Sequence, residues 1–378
     1  MRISSPAHLR KESVINSDPQ IRKIEISAYT IPTDAPEADG TLEWNSTTMI
    51  VAEITAGNAV GTGYTYGNRA TAAMAHTLAE KCLLHQSPLD IPRLYRSMLR
   101  AARNDGLRGI AAMAVSALDV ALWDLKARLL GCSVAQLLGR ARDRVPVYGS
   151  GGFTSYSDAQ LKKQLSGWVD AGISMVKMKV GTDPAADPHR VRTARKAIGE
   201  DAALFVDANG AYSVKQALTL AQVFDGFGVR WFEEPVSSDH LSDLHLIRER
   251  APVHMEIAAG EYGYDPFYFR RMLETGAVDV LQADATRCGG YTGFLSAAQI
   301  AASFGFQLSA HCAPSLHMHV GAATPEFRHI EYFHDHVRIE SMFFDGFIAQ
   351  KHGYMEPDLS RPGLGLTLKR RDALRYAA

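Results

Sequence analysis

The alternation of apolar and polar residues changes character once along the chain, near Val145. Before that residue, two segments alternate with the period of a strand, and three later segments repeat apolar residues at helical spacing. Strands followed by helices predict an α+β domain. The predicted strands are residues 21–32 and 47–56, joined by a mobile loop at 33–46, and the predicted helices are residues 70–84, 92–103 and 109–130.

After Val145, short apolar runs alternate with amphipathic helical stretches as far as Phe344. Eight runs share about 200 residues, or about 25 residues for each unit, which is close to the repeat of a parallel (β/α)8-type barrel. An open doubly wound sheet gives a similar rhythm, but no GxGxxG motif follows an early strand. The pattern therefore favours an α/β barrel over the open sheet.

Length and composition favour an enzyme-like protein with a small-molecule partner. The chain has 378 residues, enough for one large domain and a smaller one. A formal net charge of -1 gives no electrostatic reason to expect nucleic acid or an anionic membrane as a partner. Four cysteines without a CxxC pair suit reduced thiols in a cytoplasmic protein. The polar residues 1–20 are predicted to form a mobile arm, and no apolar run is long enough to span a membrane.

Three carboxylates close three successive apolar runs of the predicted barrel. Asp207, Glu233 and Glu261 lie 26 and 28 residues apart, so parallel strands bring them to neighbouring positions on one rim. Any one of them alone is equally well explained as a helix cap or a solvated loop end. Three in phase would repel one another unless a cation lay between them, and an all-oxygen ligand set selects Mg²⁺.

The next two runs end in an acid and a histidine. Asp284 and His311 are predicted at adjacent strand ends, where a carboxylate fixes the tautomer of an imidazole and raises its basicity. Alone, His311 would be a core histidine, but its phase with the acids favours general acid/base work. His317 and His319 lack further ligands at zinc spacing and are interpreted as structural residues of the following helix.

Two lysines stand on one face of the predicted strand MVKMKVG. Lys177 and Lys179 are two residues apart, so both side chains point into the barrel towards the carboxylates. A lysine crowded by a second cation and a metal has a lowered pKa, which makes a neutral amine available as a base. The pair is therefore predicted to belong to the site.

These residues together resemble the mandelate racemase subgroup of the enolase superfamily. The segment at residues 117–139 is also similar to the helix and connection that precede the barrel in that family, and the likeness covers nearly all of the chain past residue 20. The matching motifs are KMK at 177–179, DAN at 207–209, EEP at 233–235, AGE at 259–261, QADATRCGG at 282–290 and the histidine of SAHCAP at 311.

The resemblance implies an α+β capping domain at residues 21–144, a modified (β/α)7β TIM-like barrel at 145–344, and a segment at 345–378 that returns to the cap. A homo-oligomer, from dimer to octamer, is also expected. The resemblance implies that Mg²⁺ binds to Asp207, Glu233 and Glu261. It implies that Lys179 and the His311/Asp284 pair are acid/base groups on opposite faces. It also implies that Lys177 and Glu331 lie near the substrate carboxylate and that Asn209 contacts the substrate.

The implied reaction is removal of the proton α to a carboxylate. Dehydration of a sugar acid to a 2-keto-3-deoxy acid is favoured, with racemisation, epimerisation or cycloisomerisation as the alternative. A barrel aldolase and a metal-binding scaffold without turnover are hypotheses of a different kind. Cap segments are expected to select the substrate, namely residues 33–46 and 63–69, with Tyr64, Tyr66, Asn68 and Arg69 as candidate contacts.

Overall fold

A computed structural model describes residues 18–378. Of the predicted arm at residues 1–20, residues 1–17 therefore lie outside the described residues. From residue 18 onwards, the chain forms a sheet with helices, a barrel and a C-terminal segment. No helix among these residues is long and apolar enough to cross a bilayer.

The N-terminal part is an antiparallel sheet followed by helices, as the pattern predicted, but the sheet has three strands where two were predicted. The three long helices begin and end within two residues of their predicted bounds. The elements are β1 (Ile21–Ala38), β2 (Glu43–Ala56), β3 (Ala59–Tyr66), α1 (Arg69–Cys82), α2 (Ile91–Ala101), α3 (Ile110–Leu129) and α4 (Val134–Leu138).

The first two strands pair well beyond their predicted ends, so the prediction of a mobile loop at residues 33–46 is wrong for most of that segment. A register shift between Pro32 and Glu37 absorbs the prolines, and pairing then resumes. Only residues 39–42 form the turn. The Asp39 carboxylate closes this turn by accepting hydrogen bonds from two following backbone N–H groups.

Helix α3 is buried between the cap sheet and the barrel because small residues let it come close. A Cβ atom at Gly63 of β3 would lie 2.2 Å from the carbonyl oxygen of Ala117 in α3. Glycine is therefore required there by the closeness of the two backbones. The same helix contacts the barrel, which fixes the cap over one end of it.

Residues 145–333 form a closed barrel of eight parallel strands joined by seven helices, which confirms the predicted (β/α)7β fold. The last strand closes on the first through the pair Ile330 and Val147. The strands are β4 (Val145–Gly151), β5 (Met175–Lys179), β6 (Ala203–Asp207), β7 (Val229–Glu233), β8 (Glu256–Ala259), β9 (Val280–Ala283), β10 (Leu308–Ala310) and β11 (Phe327–Phe333), and the helices are α5 (Asp158–Asp170), α6 (Asp187–Ile198), α7 (Val214–Asp225), α8 (Leu241–Arg250), α9 (Pro266–Glu274), α10 (Gly290–Ser303) and α11 (Pro314–Ala323).

The C-terminal segment runs from the barrel back to the cap. The backbone N–H of Ala378 donates to the carbonyl of Ala28 in β1 over 3.0 Å, and Arg370 pairs with Glu53 of β2 over 2.8 Å. The remaining elements are α12 (His334–Phe343), β12 (Phe344–Asp345), β13 (Tyr354–Met355), β14 (Thr367–Leu368), α13 (Arg370–Ala373) and a 3₁₀ turn at Leu374–Tyr376.

A buried carboxyl group at the junction of cap and barrel predicts a pH effect on stability. Asp119 of α3 is fully buried and accepts two hydrogen bonds from Thr292 of α10. Burial raises the pKa of Asp119 to about 7, although the bonds from Thr292 oppose the shift. Its contribution to the free energy of unfolding is therefore fully present below the unfolded pKa of 3.8 and is lost as the pH rises through about 7.

Asp119→Asn should accordingly gain stability relative to the wild-type protein as the pH rises. We expect the difference in Tm, variant minus wild type, to be more positive at pH 8 than at pH 5 in thermal unfolding. A difference that is equal at both pH values would show that Asp119 does not titrate with a raised pKa in the folded protein.

Candidate active site

The barrel brings the predicted acids, lysines and histidine of the site to the carboxyl ends of its strands. Strand pairing places Lys179, Asp207 and Glu233 side by side on β5, β6 and β7. A cavity of about 220 Å³ opens above this rim, under the cap. A larger cavity of about 670 Å³ lies beside the C-terminal segment, far along the chain from these residues. The predicted residues that line the smaller cavity are Lys179, Asn209, Glu261, Asp284, His311 and Glu331.

The three predicted metal ligands form one buried carboxylate cluster. Ligand oxygens of Asp207, Glu233 and Glu261 all lie within 4.8 Å of one another. Burial, with the adjacent charge of Asp207, raises the pKa of Glu233 to about 8. Oε2 of Glu261 is buried and has no hydrogen-bond partner among residues 18–378. Crowded carboxylates with an unpartnered oxygen fit a hard divalent cation such as Mg²⁺.

The glycine before Glu261 explains how that side chain reaches the rim. Gly260 adopts a φ of +141°, and a Cβ atom there would lie 2.0 Å from the carbonyl oxygen of Gln282 on the next strand. Both conditions exclude any residue with a side chain. The AGE motif thus places a carboxylate directly after a backbone turn that only glycine allows.

The two lysines are held by the carboxylates around them. Nζ of Lys177 lies 2.6 Å from Glu233 Oε1 and 2.9 Å from Glu331 Oε1, and Nζ of Lys179 lies 2.5 Å from Asp207 Oδ2. Burial opposes charge on both amines, but these carboxylates outweigh it and raise the pKa of both lysines. The predicted lowering of the lysine pKa is therefore wrong for a site made of the protein's own side chains, because more carboxylates than cations surround these amines.

His311 and Asp284 form the predicted pair. Nδ1 of His311 lies 2.8 Å from Asp284 Oδ2, which also accepts a long contact from Arg287. Because Nδ1–H donates to the carboxylate, Nε2 of the neutral ring carries the lone pair, and Cys312 Sγ lies 3.3 Å from it. Burial opposes protonation, but Glu261 and Asp284 outweigh it, and the pKa of His311 is raised. His317 lies behind the pair, where its Nε2 accepts from the backbone N–H of Ala285, as suits a structural histidine.

Glu331 and Asn209 occupy different parts of the cavity wall. The Glu331 carboxylate accepts from Ser150 Oγ over 2.5 Å and from the backbone N–H of Cys312 over 3.0 Å. Asn209 has a φ of +47°, and its backbone N–H donates to Asp207 Oδ1. Oδ1 of Asn209 has no hydrogen-bond partner within the described chain. It is therefore available to a ligand.

The cap contributes different residues from most of those predicted. Tyr66 lines the cavity, but Tyr64 is fully buried against Phe344, Asn68 caps α1, and Arg69 lies on the exposed surface of that helix. The predicted segment 33–46 does reach the cavity, through Asp39, Leu42 and Trp44. No periodic pattern marks the other lining residues, most of which come from loops, strand ends and the start of α12. These residues are Thr47, Tyr262, Thr286, Arg287, Cys312, Phe333 and His336.

A capped (β/α)7β barrel with three rim carboxylates, a lysine and a His/Asp pair defines a class of barrel enzymes that act beside a divalent metal. The family model described as "Enolase C-terminal domain-like" matches residues 160–373. The model described as "Mandelate racemase / muconate lactonizing enzyme, N-terminal domain" matches residues 30–139. The chain therefore belongs to the mandelate racemase group of the enolase superfamily.

Characterised relatives include dehydratases and cycloisomerases of sugar acids. An L-talarate/galactarate dehydratase from Salmonella typhimurium is 31% identical over 92% of this chain and 89% of its own length. A 3,6-anhydro-alpha-L-galactonate cycloisomerase from Streptomyces coelicolor is 30% identical over 92% of this chain and 97% of its own length.

Solved structures agree closely with the fold. A mandelate racemase/muconate lactonizing enzyme-like protein from Rubrobacter xylanophilus has a TM-score of 0.93 and 50% identity, covering 95% of this chain and 100% of its own. An L-talarate dehydratase from Polaromonas sp. JS666, complexed with Mg and L-glucarate, has a TM-score of 0.85 and 31% identity, covering 95% of this chain and 98% of its own.

Proposed function

We propose that this protein removes the proton α to the carboxylate of a sugar acid and dehydrates it to a 2-keto-3-deoxy acid, with Mg²⁺ held by Asp207, Glu233 and Glu261. The observation that carries this proposal is that Lys179 and His311 line one cavity from well-separated strands, β5 and β10, on either side of Glu261. Two proton-transferring groups thus face the same small volume.

Proton transfer alone does not account for the rate of such a reaction. A positioned acid or base contributes about 3–5 kcal/mol, while enzymes typically lower barriers by at least about 8 kcal/mol. Removing the α proton creates an enediolate, whose negative charge needs stabilisation. Mg²⁺, when bound, supplies positive charge beside the enediolate oxygens. Lys177 adds a buried ammonium group that also holds Glu233 and Glu331 in place.

Dehydration requires one residue to take the C2 proton and one to protonate the hydroxyl that leaves C3. The C3–O bond then breaks, water departs, and the resulting enol becomes the 2-keto acid when C3 takes a proton. Of Lys179 and His311, one removes the C2 proton and the other protonates the leaving hydroxyl. The Asp284 contact keeps Nε2 of His311 available for its share.

The two-sided arrangement also supports a second candidate, racemisation or epimerisation. If the group opposite the base returns a proton to C2, the configuration inverts and nothing leaves. A cycloisomerase starts from the same α-proton removal, and one relative is named as such an enzyme. A Schiff-base aldolase is disfavoured because that mechanism has no use for a cluster of three carboxylates, and the amine of Lys179 is held by Asp207 over 2.5 Å.

A screen of sugar monoacids and diacids with Mg²⁺ in D2O tests this proposal. A semicarbazide assay detects 2-keto acids, and proton NMR detects exchange at the α carbon. A keto acid from one or a few stereoisomers supports dehydration and names the substrate. Exchange without a keto acid supports the racemase or epimerase alternative. Detection of neither a keto acid nor exchange contradicts the proposal. A cytoplasmic location and a homo-oligomeric assembly stay predictions.

A further inference from the structure

The cavity contains a catalytic end rich in charge and an opposite wall without free cations. Among its lining residues in the described chain, the only lysine and arginine are Lys179 and Arg287. Nζ of Lys179 pairs with Asp207, and Nη1 of Arg287 pairs with Glu261. Both cations therefore lie at the catalytic end of the cavity. The adjoining cavity is lined by Arg108, which pairs with Asp265 over 3.0 Å.

The opposite wall is hydrogen-bonding and, among the described lining residues, carries no lysine or arginine. Its side chains come from the cap hairpin, β3 and the start of α12, and several of its donors are already used. Trp44 Nε1–H donates to Glu37 over 2.8 Å, and Thr47 Oγ1–H donates to Asp335. Thr47 therefore offers lone pairs, which accept from a hydroxyl but repel a carboxylate. Asp39 at the same wall adds a carboxylate of its own.

His336 supplies a donor to this wall. The backbone N–H of Ala313 donates to Nδ1 of His336 over 3.2 Å, so in the neutral ring Nε2 carries the hydrogen. Burial lowers the pKa of His336 to about 3, which keeps the ring neutral at ordinary pH. Its ring stacks on Tyr66 at a centroid distance of 3.5 Å, which fixes its orientation. Apart from the bond at Nδ1, the ring makes no hydrogen bond among the residues that the structure describes.

We propose that the cavity takes a monocarboxylic sugar acid, whose neutral hydroxylated tail lies against this wall and accepts a hydrogen bond from Nε2–H of His336. This inference rests on the proposed function, because it assumes that the substrate carboxylate occupies the catalytic end. A second carboxylate on the tail would meet Thr47 lone pairs and Asp39 with one neutral donor to satisfy it. His336 is thus a specificity-determining residue, because its Nε2–H donates to a hydroxyl of the substrate tail.

Calorimetry with Mg²⁺ tests the proposal on matched pairs of aldonates and aldarates of equal length and configuration. We expect the wild-type protein to bind at least one aldonate about tenfold or more tightly than its aldarate partner. His336→Phe keeps the stacked ring but removes the Nε2–H donor, together with the Nδ1 acceptor for Ala313, and should weaken aldonate binding by about 5- to 30-fold. His336→Gln restores a donor at similar reach and should recover most of the affinity, and His334→Gln, a nearby histidine outside the cavity, should have no effect.

Two results would overturn the proposal: an aldarate that binds as tightly as its aldonate, or His336→Phe that binds aldonates like the wild-type protein. If the Phe variant does not fold, the aldonate-to-aldarate ratio of the wild type and the response of His336→Gln still decide. Selective aldonate binding without keto acid or α exchange would contradict the proposed reaction but not the assignment of His336. If neither aldonates nor aldarates bind, both the proposed function and the assignment of His336 are contradicted.

Discussion

Lys179→Ala and His311→Asn should each lower kcat for overall turnover by about 10²- to 10⁴-fold while the fold remains intact. Each change removes one of the two proton-transferring groups that line the cavity. Lys177 lies 3.4 Å from Asp207, so that carboxylate keeps a cationic neighbour when Lys179 is removed. Asparagine at position 311 retains a donor for Asp284 but has no group that exchanges a proton near neutral pH.

Solvent exchange in these two variants identifies the base. A variant that loses the base should show no exchange of the α proton in D2O, whereas a variant that loses only the acid should still exchange it. Lys196→Ala and His334→Asn, which change residues outside the cavity, serve as matched controls and should turn over like the wild-type protein. Wild-type rates for both site variants on the true substrate would contradict the two-sided mechanism.

Glu233→Gln should weaken Mg²⁺ binding by about 10- to 100-fold or more. The carboxylate accepts from Lys177 at Oε1 and from Trp231 Nε1–H at Oε2. A glutamine amide has the same shape but turns an N–H₂ group towards one of these two donors, and it removes one negative charge from the cluster. Both effects displace or weaken an oxygen ligand.

Calorimetric titration with Mg²⁺ measures this effect. Glu249→Gln removes an exposed carboxylate on α8 and is the matched control, with affinity equal to that of the wild-type protein. Mg²⁺ affinity that is unchanged in Glu233→Gln would remove Glu233 from the ligand set.

The barrel and its rim were predictable because both follow from periodicity. Parallel strands buried on both faces appear as separate apolar runs, and their carboxyl ends meet at one rim. A polar residue at the end of each run therefore has a predictable position, as Asp207 and His311 do.

The parts that sequence reasoning missed depend on contacts between distant segments. The hairpin extends through residues 33–46 because a register shift absorbs its prolines, and no local pattern signals that shift. His336 reaches the cavity from the start of α12, and Cys312 reaches it from a backbone with a φ of +53°. Neither position follows from the regular spacing of the strand ends. The direction of the lysine pKa depended on how many acids lie within reach of each amine, which only the packed site reveals.

The most direct test of the central claim is metal-dependent loss of the α proton from the sugar acid that the screen identifies. Protein stripped of metal by chelation and then restored with Mg²⁺ is incubated with this substrate in D2O, and the C2 proton signal is followed by NMR. We expect no loss of the C2 proton in stripped protein and loss coupled to keto-acid formation after Mg²⁺ is restored. Equal loss of the C2 proton in stripped and restored protein would contradict a mechanism built around Asp207, Glu233 and Glu261 as metal ligands.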